Sequence, residues 1–161
     1  MNPIICFHNP NEENGYLSNW FVSPFCLSGF TYSSMEQYMM HQKALCFHDT
    51  EIASQILKTD TPSTIKSLGR QVSNYNDLIW SGVRQLIVYQ GLIEKFRQNP
   101  ELLDKLLSTK DAILAECAVS DRIWGIGLSM TDPARLETKL WRGQNLLGFA
   151  LMQARTFLAK L

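Results

Sequence analysis

Tyr32-Ser33-Ser34-Met35-Glu36-Gln37-Tyr38-Met39-Met40-His41-Gln42-Lys43-Ala44-Leu45 is where the chain changes character. Before this stretch, residues 4 to 32 are rich in aromatic and β-branched types. They are punctuated by Asn9-Pro10-Asn11, Asn14-Gly15 and Ser28-Gly29, a pattern of short strands and turns. Phe25 to Tyr32 reads as a small hairpin. From Ser33 onward the pattern is helical. Ser33 or Ser34 can cap a helix running to about Phe47, Thr61-Pro62 opens a second that Gly69 can close, and Asn76 can cap a long one through Asn99. Asn99-Pro100 then starts another. Ala112 to Cys117 is a short apolar run that periodicity leaves open between strand and buried helix. Gln144 to Leu161 reads as a closing helix with Leu147, Leu151, Ala154 and Leu158 on one face. The expected fold is therefore mainly α: a single compact helical domain, residues 1–161, with a small N-terminal β element.

Composition agrees with one globular domain. The chain has 161 residues, 45% of them apolar and 19% charged. A chain of this length removes roughly 70% of its unfolded surface from water, enough for a core that needs neither disulfides nor structural metal. Cys6, Cys26, Cys46 and Cys117 contain no C-x-x-C pair, and no Cys/His set has zinc-ribbon or zinc-finger spacing. His41, Cys46 and His48 cluster in sequence, but around a helix end rather than in a converging ligand set. Lys plus Arg number 15 against 15 Asp plus Glu. That balance argues against a protein held on nucleic acid mainly by counterion release, while leaving room for a local basic pocket. No segment approaches the ~20 apolar residues of a membrane span, and the first residues lack a basic region followed by a long apolar stretch. The expected location is the cytoplasm.

Several polar residues sit in apolar company. Glu36 and Lys43 are seven residues apart in a helix of apolar content. They would share a face at about 10 Å along the axis, too far for a salt bridge but able to bracket a ligand. Each also has a simpler reading. Ser33-x-x-Glu36 has the capping-box form, and Lys43 can be a solvated helix lysine. Asp121-Arg122-Ile123-Trp124-Gly125-Ile126-Gly127 places glycines after a tryptophan, where the backbone can turn tightly or let a planar ligand approach. It lacks the third glycine of a dinucleotide fingerprint. Gly143 to Gly148 lacks the Lys-Ser/Thr ending of a phosphate loop and reads as a turn with Asn145 capping the last helix. Lys66 and Arg70 either complement a helix end or bind phosphate. Trp20, Trp80 and Trp141 suit the core or its edge, although Asn19-Trp20 on a loop could stack a base. No G-x-S-x-G elbow and no H-E-x-x-H pair occur, so acyl hydrolase and zinc protease chemistry have no support.

Taken in order, these segments resemble the NADAR family, also called YbiA-like. The resemblance runs through Leu17-Ser18-Asn19-Trp20, Phe30 to Tyr38, Gln42-Lys43-Ala44, Lys66 to Arg70, Trp80, Lys95-Phe96-Arg97-Gln98-Asn99, Asp121 to Gly127, and Gly143 to Gly148 with Leu151 to Arg155. It spans nearly the whole chain. It implies a mainly helical domain that handles ADP-ribose-like or ribosyl-phosphate ligands, cleavage of N-glycosidic bonds, and no cofactor or metal. Some relatives resemble enzymes that remove ADP-ribose from guanine in DNA, RNA or nucleotides. Others resemble an N-glycosidase of early riboflavin-pathway intermediates.

The family pattern falls on Glu36 and Lys43 and favours catalytic roles for both. Breaking a ribosyl N-glycosidic bond builds positive charge on the anomeric carbon and ring oxygen, which a carboxylate at Glu36 would stabilise. Lys43 as a neutral amine could attack the anomeric carbon and form an imine; protonated, it could bind phosphate or protonate the leaving base. The sequence leaves both open. Asn19, Trp20, Arg70, Asp121, Trp124, Gly125 and Asn145 become candidates for binding base, ribose and pyrophosphate. A non-catalytic ADP-ribose or NAD binding module is the remaining alternative, and oligomeric state is not legible.

Overall fold

The computed structural model describes residues 2–161. In chain order it contains β1 (Ile4–Phe7), a 3-10 turn (Gly15–Leu17), β2 (Val22–Leu27), β3 (Phe30–Ser34), α1 (Met35–Cys46), α2 (Thr50–Leu57), α3 (Pro62–Arg70), α4 (Asp77–Arg97), α5 (Pro100–Ser108), β4 (Ile113–Glu116), two further 3-10 turns and α6 (Leu146–Leu158). Most of the expected boundaries fall within a residue or two of these. The chain divides into two compact units, one of residues 22–99 and the other of residues 1–21 with 100–161. Among the described residues no helix is long and apolar enough to cross a membrane.

The 22–99 unit is an α-helical cluster carrying one hairpin. β2 and β3 pair antiparallel, with Cys26 opposite Thr31 and Leu27 opposite Phe30. Ser28 and Gly29, both at positive φ, make the two-residue turn whose twist matches that of the strands. β3 runs directly into α1. Ser34 caps that helix by accepting the Gln37 amide at 3.2 Å, and the Gln37 side-chain oxygen accepts the Ser33 amide at 2.7 Å. The capping pair is therefore Ser34 and Gln37, one residue downstream of the expected Ser33 and Glu36. The Gln37 amide also donates to the carbonyls of Ile56 and Thr59, which fastens α1 to the end of α2.

Small residues let the other helices close on α1. Gly69 lies one residue before the end of α3, and a β-carbon there would lie 2.0 Å from the Met40 sulfur. On α4, a β-carbon on Gly91 would lie 2.3 Å from the Tyr38 ring. Tyr32, Tyr38 and Phe25 form an edge-packed aromatic core with centroids 5.2 to 5.8 Å apart. Each such ring contributes roughly 1.5–3 kcal/mol by leaving water. The Gln98 side chain at the end of α4 behaves like a neighbouring strand. It accepts the Cys26 amide at 2.7 Å and donates to the Cys26 carbonyl at 2.8 Å. Asn99 adds a bond to the Pro24 carbonyl at 3.0 Å. Pro24, which has no amide to donate, is tolerated because β2 is an edge strand.

The unit made from the two chain ends contains a second sheet, one strand of which is the N-terminal β1. β1 pairs in parallel with β4, Ile4 opposite Ile113 through Phe7 opposite Glu116. Within the 112–117 run, Ile113–Glu116 is thus a four-residue strand. α6 lies directly on β4: a β-carbon on Gly148 would approach the Leu114 carbonyl to 2.1 Å. Leu147, Leu151, Ala154 and Leu158 are all buried, as their shared face predicts.

Candidate active site

Helix α1 carries both Glu36 and Lys43. With Ser34 and Gln37 closing the N-terminus, Glu36 is 4% exposed in the first helical turn, where the positive end of the helix dipole favours an anion. Two turns later Lys43 is partly buried. Its ammonium donates to the Gly69 carbonyl at 2.7 Å and lies 4.6 Å from the centre of the Tyr75 ring. Burial pushes the Lys43 pKa down; the Glu36 charge pulls it up and the Arg70 guanidinium pushes it down again. Glu36, Lys43 and Arg70 are thus within electrostatic reach of one another in the 22–99 unit. Arg70 itself is exposed at the end of α3.

Tyr75 was not singled out by sequence reading. It sits in the turn before α4, after Asn74 at positive φ, and contacts Phe47 edge-on at 5.3 Å while its hydroxyl donates to Asp77 at 2.8 Å. Asp49 holds the same turn. One of its oxygens caps α2 through the Ile52 amide, and the other accepts both the amide and the hydroxyl of Ser73. These bonds, the Ser73 amide first among them, hold the Asp49 carboxyl below the usual carboxylate range. The only sequence hint at Tyr75 was its position just before the Asn76 cap, and nothing local relates it to Lys43, 32 positions earlier.

His41, beside Lys43 on α1, is 2% exposed and has a structural partner: its Nδ1 is 2.8 Å from the Tyr32 hydroxyl. Gln42 donates to that same oxygen at 3.3 Å. Burial pushes the His41 pKa down.

The remaining candidates belong to the unit of the chain ends. Asp121 accepts the amides of Ile123 and Trp124 at 2.9 and 2.8 Å, an Asx turn that shapes the loop. Gly125 is compressed between backbone carbonyls: a β-carbon would lie 2.9 Å from those of Asp121 and Glu116. Its own carbonyl accepts the Asn145 amide at 3.1 Å. The structure brings Asp121, Trp124, Gly125 and Asn145 into one hydrogen-bonded knot. Asn19, 6% exposed, has a buried side-chain oxygen with no hydrogen-bond partner, and Trp20 follows it half-buried.

Asn145 corrects two expectations. It makes no side-chain cap to α6, being in the left-handed region at φ 53°. Its amide instead braces β4, with Oδ1 accepting the Glu116 amide at 3.1 Å and Nδ2 donating to the Leu114 carbonyl at 2.9 Å. Fully buried and spent on both sides, that side chain positions the loop rather than reaching a ligand.

Comparison with known proteins places the chain in a family. The NADAR domain family matches residues 6–159. N-glycosidase R617 of Acanthamoeba polyphaga mimivirus is 39% identical over 159 residues, covering 94% of each chain. N-glycosidase YbiA of Escherichia coli strain K12 is 30% identical over 97% of this chain and 89% of its own. A riboflavin biosynthesis protein of Vibrio vulnificus is 29% identical over 96% of this chain, which spans 38% of that protein. The NMR structure of E. coli YbiA superimposes with a TM-score of 0.81, covering 99% of this chain and 88% of that one. Matched almost end to end in sequence and in fold, the chain belongs to the NADAR family, alongside relatives named as N-glycosidases.

Proposed function

We propose that the protein is an N-glycosidase that hydrolyses a ribosyl N-glycosidic bond, releasing ADP-ribose from ADP-ribosylated guanine in DNA, RNA or nucleotides. The observation that carries the reading is the α1 pair: a buried carboxylate at Glu36, and an amine at Lys43 steered by the Gly69 carbonyl and the Tyr75 ring. In this scheme Glu36 stabilises the cationic sugar as the bond to guanine breaks, a contribution of about 10²–10⁴ in rate. Lys43, its pKa lowered by burial, supplies the neutral amine that attacks the anomeric carbon. Ring opening gives an imine and water releases the sugar, regenerating the amine. Arg70, beside Lys43, contributes positive charge for the pyrophosphate. Within the unit of the chain ends, Asn19, Trp20, Asp121, Trp124 and Gly125 are the proposed contacts for base and ribose, with Asn145 holding the last three in place.

The test is release of free ADP-ribose from an oligonucleotide carrying ADP-ribosylated guanine. Persistence of the adduct with folded protein present would overturn the substrate assignment. Borohydride added during turnover separates the two roles of Lys43: the imine route predicts a covalent sugar adduct on the wild type that is absent from Lys43→Ala. No adduct during active turnover would favour direct attack by water, with Lys43 as a cation.

A second reading keeps the chemistry and changes the substrate to early riboflavin-pathway intermediates. It is favoured by the Vibrio relative, which is named for riboflavin biosynthesis. Side-by-side kcat/KM values for the two substrates decide between them.

A further inference from the structure

The Lys43 nitrogen has two electron-rich neighbours, each from a different segment of the 22–99 unit. It donates to the Gly69 carbonyl on α3 at 2.7 Å and lies over the face of the Tyr75 ring, 4.6 Å from the centroid. Both neighbours are held by the fold. Gly69 is pressed against Met40, so close that a β-carbon would not fit. Phe47 packs edge-on against the Tyr75 ring at 5.3 Å, and the Tyr75 hydroxyl donates to Asp77 at 2.8 Å. Two residues earlier, Asp49 accepts both the amide and the hydroxyl of Ser73. The Tyr75 ring is nonetheless 44% exposed, so these bonds fix its place without burying it. A neutral amine carries two hydrogens and one lone pair around its nitrogen. Its hydrogens turn toward electron-rich groups, here a carbonyl and the negative face of a ring, and the lone pair takes the direction left over. An unrestrained amine would divide its time among three staggered orientations about the Cε–Nζ bond.

We infer, on the reading of Lys43 as nucleophile, that Tyr75 is a positioning residue for the reaction: with the Gly69 carbonyl, its ring holds the Lys43 amine in the one orientation that attacks the anomeric carbon. The lone pair forms the bond from Nζ to that carbon while the bond to the base breaks. The electrons of the broken bond leave with the base, which takes up the proton that the amine sheds. The ring also acts on the charge of Lys43, since its negative face favours the ammonium. Glu36 on α1 favours the ammonium as well and Arg70 on α3 opposes it, while Asp77 and Arg84 on α4 act on Tyr75 itself. Removing the ring therefore makes more neutral amine and leaves it unaimed. The two effects have opposite signs, so a probe indifferent to orientation and one that demands it separate them.

The test is reductive labelling of Lys43 in the full-length protein with cyanoborohydride and one of two carbonyl probes, read peptide by peptide by mass spectrometry. Formaldehyde is small enough to meet the amine in any orientation. ADP-ribose, a reducing sugar, must present its C1 from a bound pose. With either probe the amine adds to the carbonyl carbon, the carbonyl oxygen leaves as water, and cyanoborohydride delivers hydride to the imine carbon. At saturating ADP-ribose, Tyr75→Leu is expected to slow ADP-ribose labelling of Lys43 by roughly tenfold to a hundredfold, while formaldehyde labelling stays equal or rises. Tyr75→Phe keeps the ring face and gives up the bond to Asp77; it is expected to recover the ADP-ribose labelling. ADP-ribose labelling that is unchanged in Tyr75→Leu, or that falls in step with formaldehyde labelling, would overturn the positioning role and leave Lys43 as nucleophile. Absence of ADP-ribose labelling at Lys43 in the wild type would overturn the nucleophile reading and the positioning role together.

Discussion

Replacing Glu36 with Gln sets two consequences of the site against each other. The carboxylate sits on the same helix as Lys43, and its charge holds the lysine pKa up against burial. Over the axial distance of about 10 Å, with an effective dielectric between ~20 and ~80, that interaction amounts to about 0.4–1.7 kcal/mol. Glu36→Gln should therefore lower the Lys43 pKa further and enlarge its neutral fraction. If the amine alone limited the rate, the variant would be faster. If the carboxylate stabilises the sugar cation, turnover falls by about 10²–10⁴ despite the better nucleophile. The Lys43 pKa can be followed by NMR of ¹³C-labelled lysine side chains, and turnover by release of ADP-ribose from modified guanine. The expected pair is a lower pKa together with a large loss of kcat and unchanged ligand affinity. A variant that keeps wild-type turnover, or a Lys43 pKa that rises, would refute the electrostatic reasoning.

Other expectations follow from neighbouring contacts. Tyr75→Leu should lower the Lys43 pKa by removing a cation–π contact of about 0.5–1 kcal/mol, whereas Tyr75→Phe should leave it unchanged in the same NMR titration. Lys95 on α4 is fully buried and desolvation lowers its pKa to about 7. Between that value and the unfolded one near ~10.4 the unfolded chain binds the extra proton, so stability rises with pH there, by at most about 1.4 kcal/mol per unit. Urea unfolding from pH 7 to 9.5 should show this rise in the wild type, with a flatter dependence in Lys95→Met; parallel curves would contradict it. Asn145→Ala strips the brace from β4 and places alanine at positive φ. A cost of about 2–4 kcal/mol is expected in denaturant unfolding, from buried backbone groups left unpaired and the left-handed backbone.

Helices and turns are written in neighbouring residues, and most were legible, α2 behind its Asp49 cap being the helix not read. Ser34, Asn76 and Thr61-Pro62 mark helix starts through bonds or ring constraints reaching only a few positions, and Ser28-Gly29 specifies a hairpin turn by its own backbone freedom. The α1 pair was legible too, since seven residues on a helix share a face wherever the helix is placed. Where two local solutions competed, only packing chose. Ser33 with Glu36 and Ser34 with Gln37 are both possible caps; the second won because the Gln37 amide can also bond the end of α2. Ile113 to Glu116 became a strand because β1, more than a hundred residues away, offers it a paired edge. Asn145 left the role of cap to bond that strand. The hold of Tyr75 on Lys43 is likewise a product of distant segments. Local sequence determines what each few residues can form at low cost. Which backbone amide, carbonyl or side chain satisfies which other is decided when the chain closes on itself, since buried polar groups must then find partners at whatever sequence distance they lie.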